Sequence, residues 1–145
     1  MTSPFEGFVD ELERVLEALT PPDRATVLYR YVQGTQLPSG STADRLFWLE
    51  GPSIAEKSAE AGTELTEYRL DVALKLYLVN DAYDVRARAK RVQNEGALIM
   101  RALDAHPEVA WGVSGLETRG YSLASARKTN HVILTFPLSV WTQEA

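Results

Sequence analysis

From Tyr68 to Leu78 a large apolar residue occupies every even position: Tyr68, Leu70, Val72, Leu74, Leu76 and Leu78. Glu67, Arg69, Asp71, Ala73, Lys75 and Tyr77 stand between them. A helix would scatter those leucines around its circumference, whereas a strand sets them all on one face. Residues 67–79 therefore predict a strand with one buried and one wetted face, which implies an antiparallel neighbour. At about 3.3 Å per residue it spans roughly 43 Å. A compact domain of this length is only about 38 Å across. Either the strand curves around the core, or it runs past the core and offers unpaired backbone to another subunit.

The same pattern returns in "HVILTFPLSVW", residues 131–141, with Val132, Leu134, Phe136, Leu138 and Val140 on one face. Pro137 lacks a ladder donor, so this strand is at an edge there or is bulged. "WGVSGLETRGYSLAS", residues 111–125, reads as an extended, glycine-interrupted piece, and residues 127–130 turn the chain toward the last strand. Arg45 to Glu50, "RLFWLE", predicts a short buried strand stopped by Gly51-Pro52.

Helical spacing marks two other stretches. Phe5, Phe8, Val9, Leu12, Val15, Leu16 and Leu19 recur at intervals of three and four. They follow Ser3-Pro4-Phe5-Glu6, a capping-box start, and Thr20-Pro21-Pro22-Asp23 ends the helix. Asn80-Asp81 closes the long strand, and Asp81 or Asp84 caps a second helix. Its inner seam is Val85, Ala89, Val92, Gly96, Ile99 and Leu103, running to His106-Pro107. Gly96 costs a mid-helix position about 1 kcal/mol against alanine, which is reasonable if another element packs closely there. Residues 24–34, "RATVLYRYVQG", suit a short helix by spacing and a strand by composition; the helix is preferred here. Residues 36–44 read as a loop. So do residues 51–64, where Ile54 is the single large apolar residue, and this loop is expected to be mobile.

These elements predict one α+β domain over residues 1–145, ordered helix–strand–strand–helix–strand–strand. Two main helices would pack on a largely antiparallel sheet of about four strands. The order hints at two similar halves.

Composition narrows the function. Apolar residues make up 45% and charged residues 24%, as in ordinary soluble globular proteins. The chain has no cysteine, which removes disulfides and thiolate metal sites and is compatible with a cytosolic life. Acids stand near the start where a signal peptide needs a basic and then an apolar run, and no apolar run approaches the roughly 20 residues of a membrane span. Residues 1–64 carry 5 Lys/Arg and 11 Asp/Glu, a net of −6, and residues 65–145 carry 10 and 9, a net of +1. A general polyanion binder is usually basic, so nucleic acid is not the expected main partner. The asymmetry fits either two ordinary solvated faces or identical subunits meeting head to tail.

No recognisable catalytic set is present. His106 falls at a helix end, and His131 opens a strand without a partner close in sequence. There is no HExxH, glycine-rich phosphate loop or GxSxG. Asp81 and Asp84 read as caps, and Ser114 and Ser122 lack an identifiable base. The expectation is a non-enzymatic chain without metal or cofactor. Arg86, Arg88, Lys90 and Arg91 crowd the start of the second helix, where they oppose its dipole, so something other than helix stability placed them. A solvated face, a subunit interface and a phosphate-facing surface are the three readings. Trp48, Trp111 and Trp141 fall in strand-like segments and read as core or sheet-edge packing, with Trp141 the strongest candidate for an intersubunit role.

The order of elements, with "LEGP", "EYRLDVALKLYLV", "DVRARAKRVQNEGALIMRALD" and "GVSGLETRGYSLASARKTNHVILTFPLSVW", resembles the tail terminator and tail completion proteins of long-tailed bacteriophages, including the lambda-type minor tail protein U. The best local match is Gly120-Tyr121, then the charged turn at Arg127 and Lys128, then a final strand ending in aromatic residues. The resemblance implies a structural virion protein at the head–tail junction. It would form a homohexameric ring that caps the tail tube and offers a docking surface to the head. It also implies the partners: further copies of itself, the tail tube protein and a head-completion or connector protein, with DNA passing through the ring. No membrane and no sequence-specific nucleic-acid contact is expected. The expected interface residues are Ile54, Glu56, Lys57 and Glu60 in the loop, Arg86, Arg88, Lys90 and Arg91 on the helix, and Trp141. Alternatives are another head–tail connector or a tail tube subunit, a small α+β enzyme or ligand-binding domain, and an α+β interaction module outside phages.

Overall fold

The computed structural model describes residues 4–22, 27–32, 44–59, 66–79, 85–106, 111–113, 115–126 and 131–144. Their order is α1 (Pro4–Glu17), β1 (Arg30–Tyr31), β2 (Leu46–Ala59), β3 (Thr66–Val79), α2 (Val85–Ala105), β4 (Gly115–Thr118), β5 (Ser122–Ala126) and β6 (His131–Glu144). The architecture is α+β, with one sheet of six strands in the order β1-β2-β3-β6-β4 and β5 also paired to β6. The sheet is mixed, because β1 runs parallel to β2 while every other pair is antiparallel. Each half of the chain contributes one helix and three strands, but the halves pair differently: β1, β2 and β3 are successive neighbours, whereas β4 and β5 both lie on β6.

The alternation at 67–79 does form a strand, and β3 is central. It pairs with β2 from Leu46↔Tyr77 to Ala59↔Thr66 and with β6 from Val79↔His131 to Thr66↔Glu144. Its backbone is therefore paired with β6 along its whole length and with β2 from Thr66 to Tyr77 apart from Val72, so β3 is an interior strand and not an edge. Among the described residues the unpaired edges lie on other strands.

Both helices contribute to one core on one face of the sheet. Phe8, Leu12 and Leu16 of α1 and Ile99 and Leu103 of α2 meet Val72, Leu74, Leu76 and Leu78 of β3 and the even positions Val132 to Val140 of β6. Trp111 joins them against the Phe8 ring, with centroids 5.4 Å apart. The opposite face carries a smaller cluster, Leu46 and Tyr77 with Val32, Trp48 and Ile133, and His131 stacks on Tyr77 at 3.9 Å.

Several expectations are corrected. The predicted four strands are six. Residues 30–31 of the ambiguous stretch form β1, and 27–29 are not helical. Their backbone is held by the neighbouring strand instead, through Arg30 N–H to Arg45 C=O and Val32 N–H to Phe47 C=O, both 2.9 Å. The strand from Leu46 does not stop at Gly51-Pro52. Register shifts between Glu50 and Ser53 and between Ile54 and Glu56 accommodate the interruption, and pairing with β3 carries β2 on to Ala59. Residues 51–59 are thus strand and not loop, while 60–64 lie outside the described residues. So do Ser3, Asp81, Asp84, Ser114 and the 127–130 turn. The stretch 111–125 is not one strand: Trp111 sits in a helical turn, and β4 and β5 are separated at Gly120, whose φ of 88° places it in the left-handed region.

Candidate assembly surface

Three arrangements of polar and exposed residues stand out, and each follows from how the sheet is built. The first fastens α2 to the start of β2. Arg45, at φ 55°, turns its side chain inward, and its Nε and one terminal nitrogen each lie 2.8 Å from Glu95 Oε1. The other terminal nitrogen donates to Val27 C=O at 2.9 Å, and Tyr29 Oη donates to Glu95 Oε2. Arg45 and Glu95 are each only 1% exposed. Burial first, and the Glu95 carboxylate second, hold the Tyr29 phenol protonated well above its ordinary range. Beside this cluster Arg91 grips both Asp44 carboxylate oxygens, at 2.9 and 2.7 Å, and also the Val79 carbonyl. The charges are matched to one another, and the contacts tie α2 to the start of β2, to Tyr29 before β1 and to the end of β3.

The second arrangement lies on the sheet face away from the helices. Ser139 Oγ donates to Asp71 Oδ1 at 3.3 Å and accepts from Arg119 at 3.0 Å. Lys75 donates to Thr135 Oγ1 at 2.9 Å and lies 3.8 Å from Glu50. Glu50, Asp71, Arg119 and Ser139, with Gly51, Ser53 and Pro137, line a shallow cleft of about 390 Å3. A second cleft, of about 400 Å3, lies along α2 beside Lys90, Arg91, Asn94 and Glu95. Among the described residues no group of three His, Cys, Asp or Glu is placed to hold a metal ion.

The third arrangement is the pair of sheet edges. β1 covers β2 only at Leu46 and Phe47, so among the described residues no strand pairs with the outer edge of β2 from Trp48 to Ala59. At the opposite side β4 and β5 present their own outer edges, and Phe136 and Pro137 lie opposite the gap between them. The edge placement expected at Pro137 is therefore correct. One row of side chains on the helix face runs across the whole sheet, Ile54↔Leu70↔Val140↔Leu116. Leu70 and Val140 are buried and Leu116 is half-buried, but Ile54 is 67% exposed.

The residues expected at an interface are distributed unequally. Ile54 stands on the open edge, Glu56 and Lys57 belong to the same strand, and Glu60 lies outside the described residues. Arg86 and Lys90 are exposed on α2, Arg88 is half-buried, and Arg91 is engaged with Asp44 and Val79 within the chain. Trp141 is half-buried on β6 and packs over Gly115. The sequence reading missed the Tyr29–Arg45–Glu95 cluster, although Glu95 falls between seam residues Val92 and Ile99 at helical spacing. It also missed Glu50, Leu116 and Arg119, whose positions depend on long-range register. No helix of the described residues is long and apolar enough to cross a membrane. No protein-family model matches the sequence, and no curated protein is significantly similar to it.

Proposed function

We propose that this chain is a structural protein of a long-tailed bacteriophage virion, a tail terminator. Copies join into a homohexameric ring on the finished tail tube, stop its growth and give the head a surface on which to dock. Its partners are then further copies of itself, the tube protein and a head-completion protein, with DNA passing through the ring. It works at the head–tail junction after synthesis in the host cytoplasm, and it carries out no catalytic step.

The observation that carries this reading is a sheet that outruns its own core. The apolar core ends at Leu70, Val140 and half-buried Leu116, yet the ladder continues four residues further, past the buried but polar Thr142, to Thr66 and Glu144. That is about 13 Å of paired strand past the last core row. A domain that needed only to bury its apolar side chains has no use for that length, whereas a ring subunit uses it to reach its neighbour. A closed ring requires two different, complementary surfaces on each copy, and the two unlike sheet edges supply them. Exposed Arg86 and Lys90 on α2 add a basic surface for the tube or the neighbour.

The test is removal of the gene followed by electron microscopy of the particles. Tails of uncontrolled length that fail to join heads are the expected result. Tubes of normal length joined to heads would rule out a terminator, and tails that are absent altogether would point to a tube subunit.

A further inference from the structure

Resting on the ring reading, we infer that neighbouring copies join by continuing the sheet, with the outer edge of β2 in one copy pairing antiparallel to β4 of the next. Three features of the topology support this. The strand directions match: β2 is antiparallel to β3, β3 to β6 and β6 to β4, so β4 runs opposite to β2. Rotation about an axis near the strand direction therefore brings β4 of the next copy beside β2 as an antiparallel neighbour. The same rotation keeps the helices of every copy on one side of the joined sheet.

The rows then continue across the junction. Ile54 ends the helix-face row at one edge and Leu116 ends it at the other, so in-row pairing covers the exposed isoleucine with the partner's Leu116. On the opposite face Ser53↔Asp71↔Ser139↔Glu117 forms an equivalent row, which sets Ser53 against the partner's Glu117. One step along, acidic Glu50 is paired with Ala73 and through it with Pro137, the level at which Arg119 leaves β4. Glu50 and Arg119, both more than half exposed, thus set opposite charges at the same level of the two edges. Directly opposed charges and apolar pairs favour one register over its neighbours, and a slip by one residue would put Ile54 on the wrong face.

The wet-face row gives a clean test, because the chain has no cysteine and both of its end residues are exposed. Full-length Ser53→Cys and Glu117→Cys proteins, one carrying a tag, are mixed and treated with a short bis-maleimide. Thermal melts first establish that both variants fold as the parent does. Cross-linked heterodimer at least tenfold above the product from either variant alone is expected, with a ladder beyond dimer from the double variant. Ile54→Asp in the same background should reduce the cross-link at least tenfold. Self-linking of Ser53→Cys alone would mean two-fold pairing of β2 with β2 and would overturn the inference, as would no heterodimer at millimolar concentration. Rings that form without this cross-link would leave the terminator reading standing and reject the edge. The cross-link together with normal tails after gene removal would do the reverse.

Discussion

Replacing Glu95 by alanine removes the acceptor around which Tyr29 and Arg45 are organised. Glu95 takes two contacts of 2.8 Å from the Arg45 guanidinium and one from the Tyr29 hydroxyl, at a site with 1% exposure. Taking away one partner of a buried ion pair costs about 3–5 kcal/mol, because the remaining charge lacks compensation in a low-dielectric site. An unsatisfied Tyr29 hydroxyl adds about 1–3 kcal/mol, and the better helix propensity of alanine returns only a few tenths. These terms overlap, so a loss of about 4 kcal/mol is expected, a large part of the 5–15 kcal/mol that typically holds a domain together.

Urea titration followed by tryptophan emission measures it. With a slope of about 2 kcal/mol/M, the midpoint should fall by about 2 M with the slope unchanged. Glu95→Gln retains one acceptor oxygen and should lose less. The double variant Arg45→Met with Glu95→Leu removes both charges and should recover most of the loss, since a buried ion pair contributes little beyond a packed apolar pair. A Glu95→Ala cost below about 1 kcal/mol, or a double variant no better than the single, would refute the reasoning. The first result would mean that Arg45 is compensated without this carboxylate, and the second that the loss comes from packing rather than from an unpaired buried charge.

Other consequences can be checked with the same assay. A methyl group on Gly96 would lie 2.4 Å from Tyr121 Cζ, so Gly96→Ala should stabilise by about 1 kcal/mol in a Tyr121→Ala background but not in the parent; equal effects in both would exclude the contact. Trp111, which is buried and packed on Phe8 and His106, should cost about 3–5 kcal/mol as alanine, with loss of its share of the emission. Glu11 is held below the ordinary carboxylate value of 4.5, first by its hydrogen bond from Arg14, against desolvation, and then by the Arg14 charge and by His106. Because the folded value is depressed, its contribution is full above that ordinary value and is lost as pH falls through the folded one. Glu11→Gln should therefore be less stable than the parent at pH 7, with the gap narrowing toward pH 3; a constant gap would contradict this.

What was legible depended on whether an element carried its own pattern. β3 and β6 alternate without a slip where they face the core, and α1 has an unbroken apolar stripe, so each could be read from the chain alone. β2 beyond Gly51 could not. Its two register shifts destroy the period, and its polar composition gives no strand signal; it is extended because β3 offers a ladder to it. β1 is two residues long and exists only through its bonds to β2. The exposed Ile54 was visible as a lone apolar residue in a polar stretch. Its meaning was not, because the row that ends at Leu116 joins positions 62 residues apart in sequence through two intermediate strands. Glu95 was detectable as a charge on the inner seam of α2, but its partners Tyr29 and Arg45 lie 66 and 50 residues away.

An extended sheet with two edges that no strand covers among the described residues is an aggregation hazard unless something restricts what can pair with it. Here the restriction is built into the edges. β2 carries Pro52 and two register shifts, which interrupt its outer ladder, and β4 has only four residues before the chain breaks away toward Gly120. A generic strand would find few consecutive bonds on either edge. A partner whose apolar and charged rows end at matching levels would find the correct register favoured over its neighbours, and another copy of this chain has such rows. In a sheet continued from copy to copy, twist would turn each copy relative to the last. A head-to-tail contact repeated with a constant rotation either closes into a ring or extends as a helix. With a short β4 meeting an irregular β2 edge, little freedom would be left in that rotation, and it is this loss of freedom that would fix the number of copies.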